Sequence, residues 1–459
     1  MASVQTLEVQ SVMNEAPMNS RRWGVVVLCF TIALLDGFDT QSIAFIGPAI
    51  AEDFGMQAAD MTWVITASTV GMAIGAMSLG SLGDKIGRKK AVMLALAFFG
   101  VFSLIAALAT APGQIVVLRF LIGLGMGGAT PSLLALTAEY SPHKLRGTLM
   151  TVVLLGLPGG ALIGGLVGAA WLPLVGWRGV FLIGGITPIV LLVLCVFLLP
   201  ESPGFLAATG KPDANAKACR LLERMTGRTI PQDTVLRTEV STKTAKRGSV
   251  KSLLSLEYRR TTIGIWAVYL FNWTAWFLLL LWLPTALTTQ GLAKSTAALG
   301  TVTVNGAFIL MAIPLSTFLP KLDPRGLLLA MFASGVAIAI LLGFSGTNWT
   351  LVFILIAAAG FGIGGQQLVL NYLIAEAYPT QLRSTATGWS IGIGRLGSII
   401  GSALGGVLLT GLGVSGYFMS LAVPLALAAV ATLIVRHHKG GYEPSLTVEA
   451  TPDPQLESR

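Results

Sequence analysis

Ala138-Glu139-x-x-Pro142-x-x-Leu145-Arg146-x-Thr148 and Ala375-Glu376-x-x-Pro379-x-x-Leu382-Arg383-x-Thr385 are one stretch written twice, 237 residues apart. The same shift carries Gly123, Gly125, Gly127 and Gly128 onto Gly360, Gly362, Gly364 and Gly365. It also carries Gly160, Gly164 and Gly168 onto Gly397, Gly401 and Gly405. One shift satisfied by three consecutive features marks a duplicated unit. The spacing predicts two halves in parallel orientation, related by an axis along a membrane normal.

The composition around the repeat says which solvent the halves face. Of 459 residues, 54% are hydrophobic and 11% charged, with mean hydropathy +0.77. A soluble domain of this size carries about a quarter charged residues. Apolar runs recur at 23–48, 61–83, 90–110, 114–138, 147–171 and 178–199, then at 261–289, 296–319, 326–346, 349–373, 385–412 and 415–435. Each is close to the roughly 20 residues that cross a bilayer as a helix. The reading is an all-α integral membrane protein with twelve transmembrane helices in two six-helix halves. It divides into an N-terminal segment 1–22, a first half 23–199, a linker 200–260, a second half 261–436 and a polar tail 437–459 expected to be disordered. Lys251 to Arg260 (KSLLSLEYRR) is expected to form a short amphipathic helix.

Of the 30 Lys and Arg residues, the loops on one side hold Arg178 and Lys294, and Arg119 and Arg395 lie inside spans. The rest fall on the other side, with the linker and both ends of the chain. By the positive-inside rule that side is cytoplasmic. The net charge of +9 is therefore a topology signal rather than a nucleic-acid signal. The first twenty residues hold Glu8 and Glu15 and no short apolar stretch before a cleavage site, so the first span is expected to serve as an uncleaved insertion signal. Cys29, Cys195 and Cys219 suggest neither a disulfide framework nor a metal site. The pair His437–His438 in the tail is too short a tract to suggest one either.

Within the spans the plain charges are Asp36, Asp39, Arg119 and Arg395. A carboxylate there costs about 2.5–3.5 kcal/mol on the insertion scale, so it must face a bundle interior or a wet cavity. Asp36 and Asp39 stand three apart in Leu34-Leu35-Asp36-Gly37-Phe38-Asp39-Thr40-Gln41, which puts them on one helix face. At 1.5 Å per residue, Asp36 lies about 20 Å and Arg395 about 16 Å in from the basic side, close to the midplane. Arg119 lies in the other half of the bilayer. Arg395 suits a carboxylate, because a guanidinium pairs with both oxygens; its counterpart in the repeat is Pro158. Arg119 is a second cation for which substrate and aspartate can compete. Asp36 and Asp39 are the candidate proton carriers by elimination, since His143, His437 and His438 sit outside the spans and Glu139 and Glu376 at span ends. The competing reading makes all four charges structural partners of one another. Gln366, Gln367 and Asn371 on span ten, and Tyr269, Asn272, Trp273 and Trp276 on span seven, are weaker pocket candidates. The stripes Gly156, Gly160, Gly164, Gly168 and Gly397, Gly401, Gly405 let helices pack backbone to backbone, with or without sliding.

Between spans two and three stands Gly80-x-x-x-Asp84-Lys85-x-Gly87-Arg88-Lys89. It resembles the signature of the major facilitator superfamily, as do Arg119-x-x-x-Gly123-x-Gly125 and Pro200-Glu201-Ser202-Pro203. The second-half copy, Leu319-Pro320-Lys321-Leu322-Asp323-Pro324-Arg325, is degenerate. The resemblance implies the major facilitator fold. Asp84, Arg88, Glu139, Arg146 and Glu201, beside the signature glycines Gly80 and Gly87 and with Glu376 and Arg383 from the repeat, are then expected to form a gating network on the basic side; a static cap for helix ends is the alternative. Asp36-Gly37-Phe38-Asp39, together with Gly392-Ile393-Gly394-Arg395-Leu396-Gly397, is similar to the aromatic acid:proton symporter family. That similarity implies uptake of benzoate-like acids, hydroxybenzoates, protocatechuate or muconate across a bacterial cytoplasmic membrane. Expected partners are a small organic anion, protons and the bilayer, with no nucleic acid and no obligate protein partner. No cofactor is expected: there is no Gly-x-x-x-x-Gly-Lys-Ser/Thr loop, so the energy source is expected to be an ion gradient, and the similarity implies that the ion is the proton. Rival readings are a proton-driven exporter of drugs or organic acids, a sugar or polyol importer, and a membrane enzyme or sensor. The mid-membrane Arg395 argues against a neutral sugar, and the lack of a His or Cys constellation in the spans argues against an enzyme.

Overall fold

Ten helices in the computed structural model are long and apolar enough to cross a membrane, among the described residues 6–209, 212–231, 234–237 and 250–435. Side chains at 81, 84, 212, 316, 320, 380, 381 and 384 lie outside that description. Two of the ten are double. His143–Leu198 has 56 residues; at 1.5 Å per residue it would run about 84 Å, nearly three times a ~30 Å hydrocarbon core. It breaks at Gly176 (φ 64°, ψ −177°), and Thr380–Ser420 breaks at Gly413 (φ 68°, ψ −178°). Positions 176 and 413 are again 237 apart, so the repeat extends to the conformation of a single turn residue that only glycine adopts without strain.

Among the described residues the spans are therefore twelve. Spans 1 to 4 are Ser20–Phe54, Ala58–Ile86, Arg88–Ala106 and Pro112–Tyr140. Spans 5 and 6 share His143–Leu198, and spans 7 to 9 are Arg259–Thr289, Lys294–Phe318 and Pro324–Phe344. Span 10 runs through Trp349–Ala359, a π-helical turn at Gly360–Gly364 and Gln366–Ala377. Spans 11 and 12 occupy Thr380–Ser420 and Ala422–Ile434. Their starts carry recognisable caps: Asn19, Asp323 and Asn348 accept from the backbone N–H of Arg22, Gly326 and Leu351. Span 1 is longer than its apolar run 23–48 at both ends, and its first turn is held by protein rather than lipid.

That first turn is tied down by Arg22, which is fully buried. Its guanidinium donates to the carbonyls of Met13 (3.0 Å), Ala16 (2.7 Å) and Tyr140 (2.9 Å). A short helix, Val9–Glu15, is thereby clamped against the end of span 4. Ahead of it, Thr6–Glu8 pairs in parallel with Val235–Arg237 of the linker. The linker also forms the helix Pro212–Thr226. The expected helix over 251–260 is a single turn, Val250–Leu253, and span 7 starts at Arg259. The tail reading for 437–459, with His437 and His438, lies outside the described residues.

The glycine stripes set the packing within each half. A Cβ at Gly160 would strike the Leu34 carbonyl and stand 2.7 Å from the Phe38 nitrogen on span 1. One at Gly397 would meet Leu270 and Thr274 on span 7. Spans 5 and 11 thus press, backbone to backbone, against the helices that carry Asp36 and Trp273. The halves meet toward the end of the bundle where span 1 finishes. There Lys294 pairs with Glu52, and a Cβ at Gly406 would run into Thr62 and the Ala58 carbonyl. Deeper in, Gly165 packs on Val302 and Ala298, and Gln41 Nε2 donates to the Leu280 carbonyl (3.3 Å).

Candidate functional site

Between the halves lies a cavity of about 230 Å³. Its wall is built from repeat-related positions. Asp36, Thr40, Thr130 and Pro158 line it from the first half, and Trp273, Phe277, Gln367 and Arg395 from the second. Each residue of the first set maps onto the corresponding one of the second by the 237-residue shift. The contacts are duplicated as well. Thr130 Oγ1 donates to Asp36 Oδ2 at 3.0 Å, and at the matching place Trp273 Nε1 donates to Gln367 Oε1 at 2.6 Å. The scaffold is symmetric and the chemistry is not: a buried carboxylate, 1% exposed, stands where the other half has an indole, and a proline stands where the other half has a guanidinium.

Arg395 lies over the Trp273 ring, 5.6 Å from its centroid. Among the described residues no carboxylate comes within salt-bridge distance of it, so its donors are available to a ligand. The walls beside it, Trp276, Phe277 and Phe308, are aromatic. A cation at one place and flat apolar faces around it suit a small planar anion. Asp36 shares the cavity with that cation.

Asp39 goes elsewhere. Its Oδ1 accepts from Arg119 Nη1 at 2.9 Å, with side chains 6% and 0% exposed, and Arg119 Nη2 reaches its carbonyl at 3.4 Å. Neither residue is among those lining the cavity. Residues three apart point about 60° apart on a helix of 3.6 residues per turn. Both aspartates bond span 4, but that angle leaves Asp36 on the cavity wall beside Thr130 and turns Asp39 away from it to Arg119. Gln366 is fully buried and turns its Nε2 back to the Gly362 carbonyl at 2.5 Å, across the π-helical turn. Asn371 accepts from the Tyr269 hydroxyl at 2.7 Å and lies outside the cavity wall, while its neighbour Gln367 is in it.

The signature residues lie at the termini-bearing end. Gly87 adopts φ 104°, and a Cβ there would strike the Glu201 carboxylate; Gly80 merely touches Pro131. Glu201 Oε1 accepts from the backbone N–H of Lys89 (3.0 Å) and Ser202 (2.9 Å). Glu139 accepts from the Ser202 hydroxyl and feels the charge of Arg88. Arg146 Nε and Nη2 have no hydrogen-bond partner among the described residues. In the other half Arg383 donates to the Tyr378 carbonyl (2.9 Å) and Glu376 bonds Tyr372. Tyr378, outside the spans, shares a hydrogen with Thr262 at 2.8 Å, and burial pushes its hydroxyl up to about 12. None of these bonds joins the first half to the second. The side chain of Asp84 lies outside the described residues.

Sequence reasoning missed Thr130, Gln41 and Asn305 on the cavity wall. The first had a usable signal: it is the repeat mate of Gln367.

The Major Facilitator Superfamily model matches residues 29–328 and 265–454. The chain is 35% identical to a gallate transporter of Pseudomonas putida over 446 residues, 96% of this chain and 98% of that one. It is 34% identical to the 4-hydroxybenzoate transporter PcaK of Acinetobacter baylyi, covering 94% of each. In fold it is similar to the xylose transporter XylE of E. coli in a partially occluded inward-open conformation. That match has a TM-score of 0.72 and 18% identity, covering 92% of this chain and 99% of that one.

Proposed function

The chain belongs to the Major Facilitator Superfamily, and from that premise we propose that it imports a small aromatic carboxylate with one or more protons across the bacterial cytoplasmic membrane, both termini lying in the cytoplasm. The observation that carries the reading is Arg395 and Asp36 lining one aromatic-walled cavity between the halves. The anion's carboxylate pairs with Arg395, and its ring lies against Trp273, Trp276 and Phe308. Asp36 carries the proton. While ionised it holds Arg395 by charge; once protonated it releases that cation to the substrate. Asp39 stays paired with Arg119 and keeps span 1 in register with span 4. The two halves then rock about the loaded site, exposing it alternately to the two sides. Similarity to the gallate and 4-hydroxybenzoate transporters supports an aromatic acid as cargo, and the basic loops on the termini-bearing side support the orientation.

Uptake into proteoliposomes tests this. An imposed inward proton gradient should drive accumulation of a labelled hydroxybenzoate. Asp36→Asn, which mimics the protonated state, should abolish accumulation and still exchange labelled for unlabelled acid. Accumulation by Asp36→Asn with unchanged pH dependence would remove Asp36 from the proton path.

A further inference from the structure

Another groove, of about 1040 Å³, opens at the termini-bearing end of the bundle. Its wall runs from the first turns of span 1 to the end of span 6 and on to the linker helix Pro212–Thr226. Ser20 and Leu198 are the outermost residues of those two spans. The groove therefore stands where apolar span gives way to polar linker, the depth of lipid headgroups. Five cations line it: Arg21, Lys89, Lys217, Arg220 and Arg224. The last three stand at i, i+3 and i+7 of the linker helix, on one face. Among the described residues none of the five has a carboxylate within salt-bridge distance. The wall also holds Glu201, whose Oε1 already accepts from the backbone N–H of Lys89 and Ser202. Glu223 of the linker helix turns to the Ile230 N–H instead. Arg21 Nη1 donates to the Arg224 carbonyl and Lys89 Nζ to the Val196 carbonyl, both at 2.8 Å, and each cation keeps further N–H donors.

A soluble anion needs only the cations. This groove also has an apolar side that faces outward from the bundle. Val27, Phe197 and Leu198 stand 57%, 80% and 59% exposed, and a Cβ at Gly24 would meet nothing within 4 Å. Gly24 thus leaves a slot on span 1 beside them. An amphiphile with an anionic head and hydrocarbon chains matches both sides at once. We propose that this groove binds one anionic phospholipid of the leaflet on the termini-bearing side. Its phosphate sits among the five cations, and an acyl chain lies along Gly24, Val27 and Phe197. Guanidinium groups pair well with phosphate oxygens, and basic pockets beside membrane helices hold acidic headgroups. The phosphate then joins span 1, span 3 and the linker helix through Arg21, Lys89 and Arg224. It reinforces the bond from Asn19 Nδ2 to the Met225 carbonyl (2.7 Å), which holds the start of span 1 to the same helix. This site shares no residue with the cavity that holds Arg395, and it does not depend on what that cavity carries.

The test is native mass spectrometry of the full chain, purified in a neutral detergent and mixed with equal amounts of phosphatidylglycerol and phosphatidylcholine of the same acyl chains. The unaltered protein should retain the anionic lipid over the zwitterionic one by about tenfold or more. A variant with Lys217→Gln, Arg220→Gln and Arg224→Gln should bring that ratio near unity. A control with Arg259→Gln, Arg260→Gln and Lys321→Gln, which removes the same charge from the same end of the second half, should leave it unchanged. The ratio is taken within one preparation, so loss of folded protein in a variant cancels. Gly24→Phe fills the slot and should reduce retained phosphatidylglycerol severalfold. A ratio of unity in the unaltered chain, or an equal fall in both triple variants, means general attraction to a basic membrane face and overturns the site. If millimolar inorganic phosphate displaces the lipid and Gly24→Phe has no effect, the groove takes a soluble phosphate, and the lipid is overturned as its occupant.

Discussion

Asp39 and Arg119 form a buried ion pair at 2.9 Å, and Asp36, one turn earlier, stands free of such a partner on the cavity wall. Breaking a buried pair by removing one member costs about 3–5 kcal/mol, because the other charge is left uncompensated. Asp39→Asn should therefore reduce the yield and melting temperature of the protein in detergent, and adding Arg119→Gln should restore much of both. If Asp39→Asn is as stable as the parent, the pair is not structural. Arg395 obeys a different rule. It combines a bidentate fork with a position over the Trp273 ring, and lysine reproduces neither. Arg395→Lys should weaken binding of an aromatic acid roughly tenfold or more, about 1.4 kcal/mol, with little change in melting temperature; binding at the parent level would separate Arg395 from the carboxylate. The identities of these four charges were legible in the sequence, since charges inside apolar runs are conspicuous. Their pairing was not. Asp36 and Asp39 have the same chemistry and neighbouring positions, and only the placement of spans 4 and 11 around span 1 distinguishes them.

Spans 5 and 11 owe their close approach to missing side chains. Gly160→Ala would drive a Cβ into the Leu34 carbonyl, and overpacking of this kind costs about 1–3 kcal/mol. Gly159, one residue away, has nothing within 4 Å of its Cβ position. Thermal unfolding in detergent should show Gly160→Ala clearly destabilised and Gly159→Ala unchanged; equal melting temperatures would mean that the stripe has room to spare. The stripe itself was readable from a four-residue glycine spacing. The N-terminal element was not: residues 6–15 look like a polar leader, yet they form a strand and a helix clamped by Arg22. In the sequence Arg22 reads as a flanking charge for the lipid surface. Its partners are the main-chain carbonyls of Met13, Ala16, Pro17 and Tyr140, and every residue has such a carbonyl, so no pattern of side chains announces them.

At the scale of the whole chain the halves are closed against each other at the end of the bundle marked by Phe54, through Lys294–Glu52 and the approach of Gly406 to Thr62. If transport requires this end to open, a chain carrying Thr62→Cys and Gly406→Cys should lose uptake on oxidation and regain it with a reductant. The native cysteines Cys29, Cys195 and Cys219 are free and buried, away from that reaction. Full-rate uptake by cross-linked protein would show that the end need not part. The sequence by itself determined the solvent, the number of spans and the duplication, because each is a periodic property of a one-dimensional string: apolar length, basic loop ends and a constant 237-residue shift. It also determined which residues are too costly to lie in lipid without a purpose. Only the tertiary structure decided which of them share a cavity. It set Arg395 and Asp36 on one wall, sent Asp39 to Arg119, and brought Gln41, Asn272 and Asn305 from spans 1, 7 and 8 to the wall that Arg395 and Asp36 share. Those outcomes depend on how far each helix is rotated about its own axis. That rotation is set by the packing of glycine stripes and aromatic side chains from other helices, which no stretch of one helix encodes alone.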